Sequence, residues 1–98
     1  MDILIYAKPE VVKHKMVDNK VGTAGYDFCY WTGRVPAAKN LFNINKVYFS
    51  DGKRIYAEGA FQPTMTDDEN LLCFSPLVKV NKIQPRKPPT RGWCYINR

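Results

Sequence analysis

The sequence predicts a mainly β fold: a small β-barrel of about six strands with one or two short helices, in a single domain spanning residues 1–98. Two observations lead to this prediction. Short runs of aromatic and β-branched residues recur between glycine and proline turn signals, and only one segment, Lys8-Pro9-Glu10, has the features of a helix start. A small sheet has exposed edges, and closing it into a barrel removes them.

The strongest local signal is a β-hairpin at residues 46–61, where two β-prone runs flank Asp51-Gly52. Because side chains alternate between the faces of a strand, the length of the turn decides which residues share a face. A three-residue turn from Ser50 to Gly52, with Gly52 left-handed and a bulge, pairs Val47 with Ile55. The predicted apolar face then comprises Val47, Phe49, Ile55, Ala57, Gly59 and Phe61. The predicted polar face comprises Lys46, Tyr48, Arg54, Tyr56 and Glu58.

Four elements are predicted before this hairpin. Residues 2–7 are nearly all apolar, which is typical of a strand buried on both faces. A short helix follows from Pro9, with Val12 and Met16 on one face, and ends in the stretch 19–25 with its two glycines. Residues 26–31 alternate as a second strand does, and residues 39–45 form a connector with one helical turn.

Four segments are predicted after the hairpin. Residues 62–70 contain a proline and an acidic run and indicate a surface loop. Residues 71–83 form either two apolar strands or one strand bent at Ser75-Pro76. Residues 84–91 hold three prolines and three cations, which favours an extended, exposed arm over a helix. Residues 92–97 form the last strand.

The net charge of +6 is concentrated in the C-terminal part of the chain. Residues 71–98 contain six Lys or Arg residues and no Asp or Glu, whereas nine basic and nine acidic residues cancel in residues 1–70. A concentrated basic segment with aromatic neighbours suits a nucleic-acid backbone or another anionic partner. A solvated, solubilising surface explains the same charge equally well.

Several classes of protein are disfavoured. The longest apolar runs have four or five residues, too few for a membrane span or a signal peptide, so we expect a soluble, cytoplasmic protein with no membrane partner. Cys29, Cys73 and Cys94 are odd in number and widely spaced, which is typical of buried thiols. With no closely spaced cysteine pair and one histidine, His14, the sequence predicts neither a metal site nor a cofactor.

Five short motifs span most of the chain: Tyr6 to Glu10, Lys46 to Lys53, Tyr56 to Gly59, Phe74 to Leu77 and Arg91 to Trp93. In this order they resemble the PUA-like superfamily of small β-barrels, especially its ASCH and EVE branches. The resemblance implies that a cleft beside the barrel binds RNA or reads a modified base. The ASCH signature Gly-x-Lys-x-x-Glu-x-Arg, between the helix and the second strand, is matched here only by Lys20.

A basic and aromatic cleft that binds RNA or another single-stranded or modified nucleic acid is the function that these signals favour. Aromatic side chains stack on bases, and cations contact phosphates in a salt-dependent way. The candidates for stacking are Tyr30, Trp31 and Trp93. The candidates for phosphate contacts are Lys20, Arg34, Lys39, Arg86, Lys87 and Arg91. For each tryptophan the competing interpretation is burial in the core.

A small amidohydrolase acting on acylated nucleobases or nucleosides is the alternative that the ASCH resemblance implies. Lys20 and Thr23 have the Lys-x-x-Thr spacing, in which a lysine activates a hydroxyl, and Glu58 supplies a carboxylate to orient it or shuttle protons. An ordinary glutamate on the polar face of the hairpin is the competing interpretation of Glu58.

A third interpretation is a protein-interaction module. Pro85, Pro88 and Pro89 give the basic arm 84–91 the composition of an extended ligand for a protein partner. The signals together favour a binding module over an enzyme.

Overall fold

The structure, a computed structural model, describes residues 1–16, 29–34, 36–63 and 71–97. Within these ranges the chain is mainly β, as the sequence predicts. Its strands are β1 (Asp2–Tyr6), β2 (Cys29–Thr32), β3 (Lys46–Ser50), β4 (Arg54–Ala60), β5 (Leu71–Phe74), β6 (Val78–Ile83) and β7 (Trp93–Ile96). The helical segments are one α-helix, α1 (Pro9–Val12), and the 3-10 helices Lys13–Lys15 and Ala38–Asn43.

The strands pair into a five-stranded sheet, in the order β6-β4-β3-β1-β7, and a two-stranded sheet of β2 and β5. Strand β1 runs parallel to β3 and antiparallel to β7, so it has a hydrogen-bonded neighbour on each side. Its residues Ile3, Leu4 and Ile5 are fully buried, which confirms the strand predicted to be covered on both faces. In the described part of the chain, single bridges, Phe61 with Phe74 and Met16 with Leu77, extend the pairing beyond these strands.

The main core lies between the two sheets. Ile3, Ile5 and Val47 of the larger sheet share one apolar cluster with Leu72 and Phe74 of the smaller sheet. Phe49 lies in this cluster, and its ring centroid is 5.3 Å from that of Trp31 and 5.6 Å from that of Phe74. The other face of the large sheet carries a second, smaller cluster of Leu4, Tyr48, Ile55 and Ile96.

The central hairpin forms at the predicted place, but its register differs from the predicted one. Gly52 has a φ of 101°, in the left-handed region as predicted. However, Val47 pairs with Gly59 rather than with Ile55, and Phe49 pairs with Ala57. Ser50 belongs to β3 and pairs with Ile55, so the predicted three-residue turn from Ser50 to Gly52 was wrong. A bulge at Tyr56, between Ile55 and Ala57, adds one further residue to the shift. Because the bulge inserts one extra residue into β4, the side chains between the bulge and the turn lie on the face opposite to the predicted one.

This reversal moves the side chains near the turn to the face opposite to the predicted one. Ile55, predicted on the face of Phe49, packs instead with Tyr48 in the smaller cluster. Tyr56, predicted on the polar face, packs against the main core, and its hydroxyl donates a 2.5 Å hydrogen bond to the carbonyl oxygen of Ala7. Arg54, which precedes Ile55 in the strand, lies on the face opposite to Ile55 and therefore also differs from the prediction. The predicted faces were wrong at these three positions.

The segment 71–83 forms two strands that lie in different sheets, since β5 pairs with β2 and β6 pairs with β4. Cys29 and Cys73 are buried, Cys94 is half-buried, and all three are thiols rather than disulfide partners. None of the described helices is long and apolar enough to cross a membrane.

Candidate functional site

The basic segment 84–91, which we call the strap, crosses one end of the five-stranded sheet. It leaves β6 after Ile83, which pairs with Arg54, and it enters β7 at Trp93, which pairs with Ile5. Because β6 and β7 are the two outermost strands, the strap passes the ends of β4, β3 and β1. Four strand spacings amount to roughly 19 Å, a distance that a stretch of this length spans when extended.

The strap is fixed to the sheet rather than free in solvent. The Gln84 side-chain amide donates a 3.1 Å hydrogen bond to the Gly52 carbonyl oxygen, and the Ser50 hydroxyl donates to the Gln84 side-chain oxygen. The same hydroxyl accepts a 3.0 Å bond from the Gly52 N–H. Further along, Pro88 is buried. The extended arm that the sequence predicts is therefore present, but it is anchored at Gln84 and Pro88.

The strap also carries the three cations that the sequence predicts there. Arg86, Lys87 and Arg91 are all exposed, and none of them has an ion pair within the described residues. Prolines set the backbone φ and lack an N–H, so they hold this segment extended between the charges. Three cations are thereby presented along one end of the molecule.

Exposed cations from other elements lie at the same end of the sheet. Lys8 follows β1, Lys53 lies in the hairpin turn, and Arg54 begins β4 directly after the turn. Asp51 is the acidic residue of that turn, and its Oδ1 accepts the N–H groups of Lys53 and Arg54 at 2.9 and 3.0 Å. The end of the sheet thus carries far more positive than negative charge.

Arg34 and Trp93 form a stacked pair beside the strap. The guanidinium carbon of Arg34 is 3.9 Å from the centre of the Trp93 ring, and one guanidinium nitrogen donates a 3.3 Å hydrogen bond to the Trp93 carbonyl oxygen. In return, the Trp93 indole N–H donates a 2.8 Å bond to the Arg34 carbonyl oxygen. Trp93 is only 3% exposed, so it is a core residue covered by Arg34 rather than an open stacking surface.

The side chains of Trp31 and Trp93, the two tryptophans predicted to stack on bases, both lie beside Gly33. A Cβ atom at this glycine would lie 3.8 Å from Trp93 and 4.0 Å from Trp31. Trp31 is half-buried against Phe49, so it belongs in part to the core as well. Burial raises the pKa of the Cys94 thiol on β7 above its usual value. The nearby positive charges of Arg86 and Arg34 lower this pKa, but their effect is smaller than that of burial.

Other predicted site residues are not gathered at the strap. Lys39 is exposed on the 3-10 helix Ala38–Asn43, which precedes the opposite end of β3. Tyr30 pairs with Cys73 in the small sheet, and only its backbone is described. Lys20 and Thr23 lie outside the described residues.

Glu58, the carboxylate of the hydrolase alternative, is buried between two lysines. It is 6% exposed, Lys46 donates a hydrogen bond to its Oε2, and the Lys82 ammonium lies 2.5 Å from its Oε1. Burial raises the pKa of this carboxyl, but the hydrogen bonds from the two lysines outweigh burial and hold the pKa below its usual value. Both oxygens are therefore engaged in ion pairs that join β3, β4 and β6.

Residues in the described part of the chain also line two pockets. One, of about 570 Å³, contains none of the predicted site residues and is lined by Pro9, Glu10, Lys13, Met16, Tyr56 and Lys79. The other, of about 220 Å³, lies between the hairpin turn and the strap and is lined by Tyr6, Asp51, Gly52, Lys87, Pro88 and Thr90. Among the described residues, no group of three His, Cys, Asp or Glu side chains could hold a metal ion.

Sequence reasoning identified the cations of the strap and Arg34, but it missed Lys8, Lys53, Arg54 and the pocket beside Tyr6. The signal for them is non-local, because it requires knowing that the hairpin turn, the end of β1 and the strap lie at one end of the sheet. Comparisons with known protein families, curated proteins and solved structures found no match. The PUA-like resemblance therefore stays a prediction.

Proposed function

We propose that this protein binds single-stranded nucleic acid, RNA in the first instance, at the end of the sheet crossed by the strap. The observation that carries the proposal is the strap itself, which is pinned at Gln84 and Pro88 and presents Arg86, Lys87 and Arg91 to solvent. Exposed cations along an anchored segment can neutralise neighbouring phosphates, and the release of counterions drives this kind of binding.

Arg34 adds a fourth cation beside the strap, where it lies over the ring of Trp93. Its guanidinium plane is supported by the indole ring, so less side-chain freedom is lost when it contacts a ligand. One hydrogen bond to the Trp93 carbonyl uses one of the five N–H donors of the group. The remaining donors can bind a phosphate in the forked geometry that arginine favours.

Two pairs of charge-neutralising substitutions test the proposal. The first is Arg86→Gln with Arg91→Gln on the strap, and the matched control is Lys39→Gln with Lys79→Gln, two exposed lysines that do not belong to the strap. Both double variants lose two positive charges, so general electrostatic attraction falls equally. We expect the strap variant to bind labelled single-stranded RNA about tenfold more weakly than the control, because it alone loses two phosphate contacts. Equal affinities in a fluorescence anisotropy titration would contradict the proposal.

A further inference from the structure

The pocket between the hairpin turn and the strap has chemistry suited to one particular kind of group. Its volume of about 220 Å³ is below the range of roughly 300–1,000 Å³ that is usual for drug-sized ligands, so it suits a flat group of one or two rings. Tyr6 and Pro88 provide apolar surface, and Lys87 and Asp51 provide one charge of each sign.

The turn that forms one wall of this pocket is held by hydrogen bonds. Gly52 donates to Ser50 and accepts from Gln84, so both of its backbone polar groups are used. A Cβ atom at Gly52 would lie 3.6 Å from the Tyr6 ring, and the φ of 101° disfavours any other residue there. Glycine therefore keeps space open beside the tyrosine.

Asp51 supplies an anionic acceptor at the pocket. Its Oδ1 accepts two backbone N–H groups, and these bonds hold the pKa of the carboxyl below its usual value. The other carboxylate oxygen, Oδ2, takes no part in these two bonds. A carboxylate oxygen favours a ligand edge rich in N–H donors and repels one that is lined by carbonyl oxygens.

We propose that this pocket holds one unpaired guanine nucleotide of the bound strand, with the base against Tyr6, its N–H edge toward Asp51 and a phosphate at Lys87. Guanine presents an imino and an amino donor side by side, whereas the single imino donor of uracil lies between two carbonyl oxygens. Stacking on the tyrosine contributes for any base, so the carboxylate is the group that discriminates. This inference rests on the proposed function, because it assigns one nucleotide of the same ligand.

The test compares short oligouridines that carry either guanine or uracil at one central position. We expect the guanine oligomer to bind the wild-type protein about fivefold more tightly, the discrimination typical of hydrogen bonds to a base edge. Asp51→Asn keeps the oxygen that caps the turn, and Asn-Gly is itself a favoured turn pair, but it replaces the acceptor with an amide donor. This variant should reduce the preference to within about twofold. The matched control is Glu10→Gln, which removes the same charge at an exposed position outside this pocket and should keep the preference.

A second measurement separates this inference from the proposed function. Guanosine monophosphate is titrated into the wild-type protein while the amide NMR signals of Gly52, Lys87 and Thr90 are followed, with uridine monophosphate as the comparison. If these signals shift with guanosine monophosphate but not with uridine monophosphate, the pocket binds guanine. This result would support the inference even if no oligomer binds and the proposed function fails. If the oligomers bind with no preference for guanine and the signals of the pocket do not shift, the guanine site is contradicted. Binding of nucleic acid at the strap would still be supported.

Discussion

Replacing Glu58 by Gln tests whether this carboxylate is part of the structural framework. Glu58 is 6% exposed, and its two partners, Lys46 and Lys82, have side chains that are 44% and 33% exposed. Removing one partner of a fully buried pair costs about 3–5 kcal/mol, but these lysines can turn toward water when the carboxylate is lost. Hydrogen bonds to charged groups contribute about 1.5–3 kcal/mol, so we expect the free energy of unfolding to fall by about 2 kcal/mol.

The loss should depend on pH in a defined direction. The pKa of Glu58 is lower in the folded protein than its ordinary value of 4.5, despite burial, because of the two lysines. Its contribution to stability is therefore fully present above pH 4.5 and disappears as the pH falls through the folded-state pKa. The hydrogen bond to Glu58 raises the pKa of Lys46 above 10.5, so that contribution is present below pH 10.5 and disappears as the pH rises through the folded-state pKa. The difference between wild type and variant should thus be largest between these limits.

Urea unfolding at a series of pH values measures this difference. For a domain of this size, about 2 kcal/mol corresponds to a fall in Tm of roughly 8–16 °C, which thermal melts would check. Glu10→Gln is the control, because it removes the same charge from an exposed side chain and should change stability by less than about 0.5 kcal/mol. A Glu58→Gln variant as stable as wild type at neutral pH, or a deficit that stays constant down to pH 3, would refute the reasoning.

Three further substitutions test the packing of the hairpin, all by urea unfolding. Tyr56→Phe removes the hydrogen bond to Ala7 and should cost about 1–2 kcal/mol, whereas a tyrosine on the polar face would show no change. Gly59→Ala places a Cβ atom 2.6 Å from the Ser75 carbonyl oxygen, so the segment that connects β5 to β6 must move away from β4, and a loss of about 1–3 kcal/mol is expected; an unchanged midpoint would contradict this contact. Phe49→Ala removes the ring that contacts both Trp31 and Phe74 and should cost about 3–5 kcal/mol, while a loss under about 1 kcal/mol would argue against packing between the two sheets.

The elements that the sequence predicts well are those set by local chemistry. The apolar run of β1, the proline at the start of α1 and the left-handed Gly52 each depend on a few adjacent residues, and each lies where it was expected. The bulge at Tyr56 could not be read in the same way. The predicted and the observed pairing of β3 with β4 both give strands whose side chains alternate between the faces. Which pairing forms is decided by distant partners, such as the Ala7 carbonyl oxygen that accepts a hydrogen bond from Tyr56.

The candidate site shows the same division between local and distant signals. The strap was recognisable from its prolines and cations, but its path across the sheet depends on β6 and β7 lying at opposite edges. The burial of Trp93 depends on Arg34, which is 59 residues away in the chain. The sequence correctly placed Glu58 on the face of the sheet that does not carry Phe49. It did not predict that Glu58 is buried, because the burial comes from the two lysines and the smaller apolar cluster on that face.

The salt dependence of nucleic-acid binding tests the central claim most directly. Labelled single-stranded RNA, duplex RNA and duplex DNA are titrated with the wild-type protein at several salt concentrations, and the affinity is read by fluorescence anisotropy. If Arg34, Arg86, Lys87 and Arg91 each neutralise one phosphate, the logarithm of the single-strand affinity should fall with a slope of about −3 against the logarithm of salt. This slope corresponds to a loss of roughly 50-fold between about 50 and 200 mM salt. No binding to any of the three at low salt, or a slope near zero, would contradict the account.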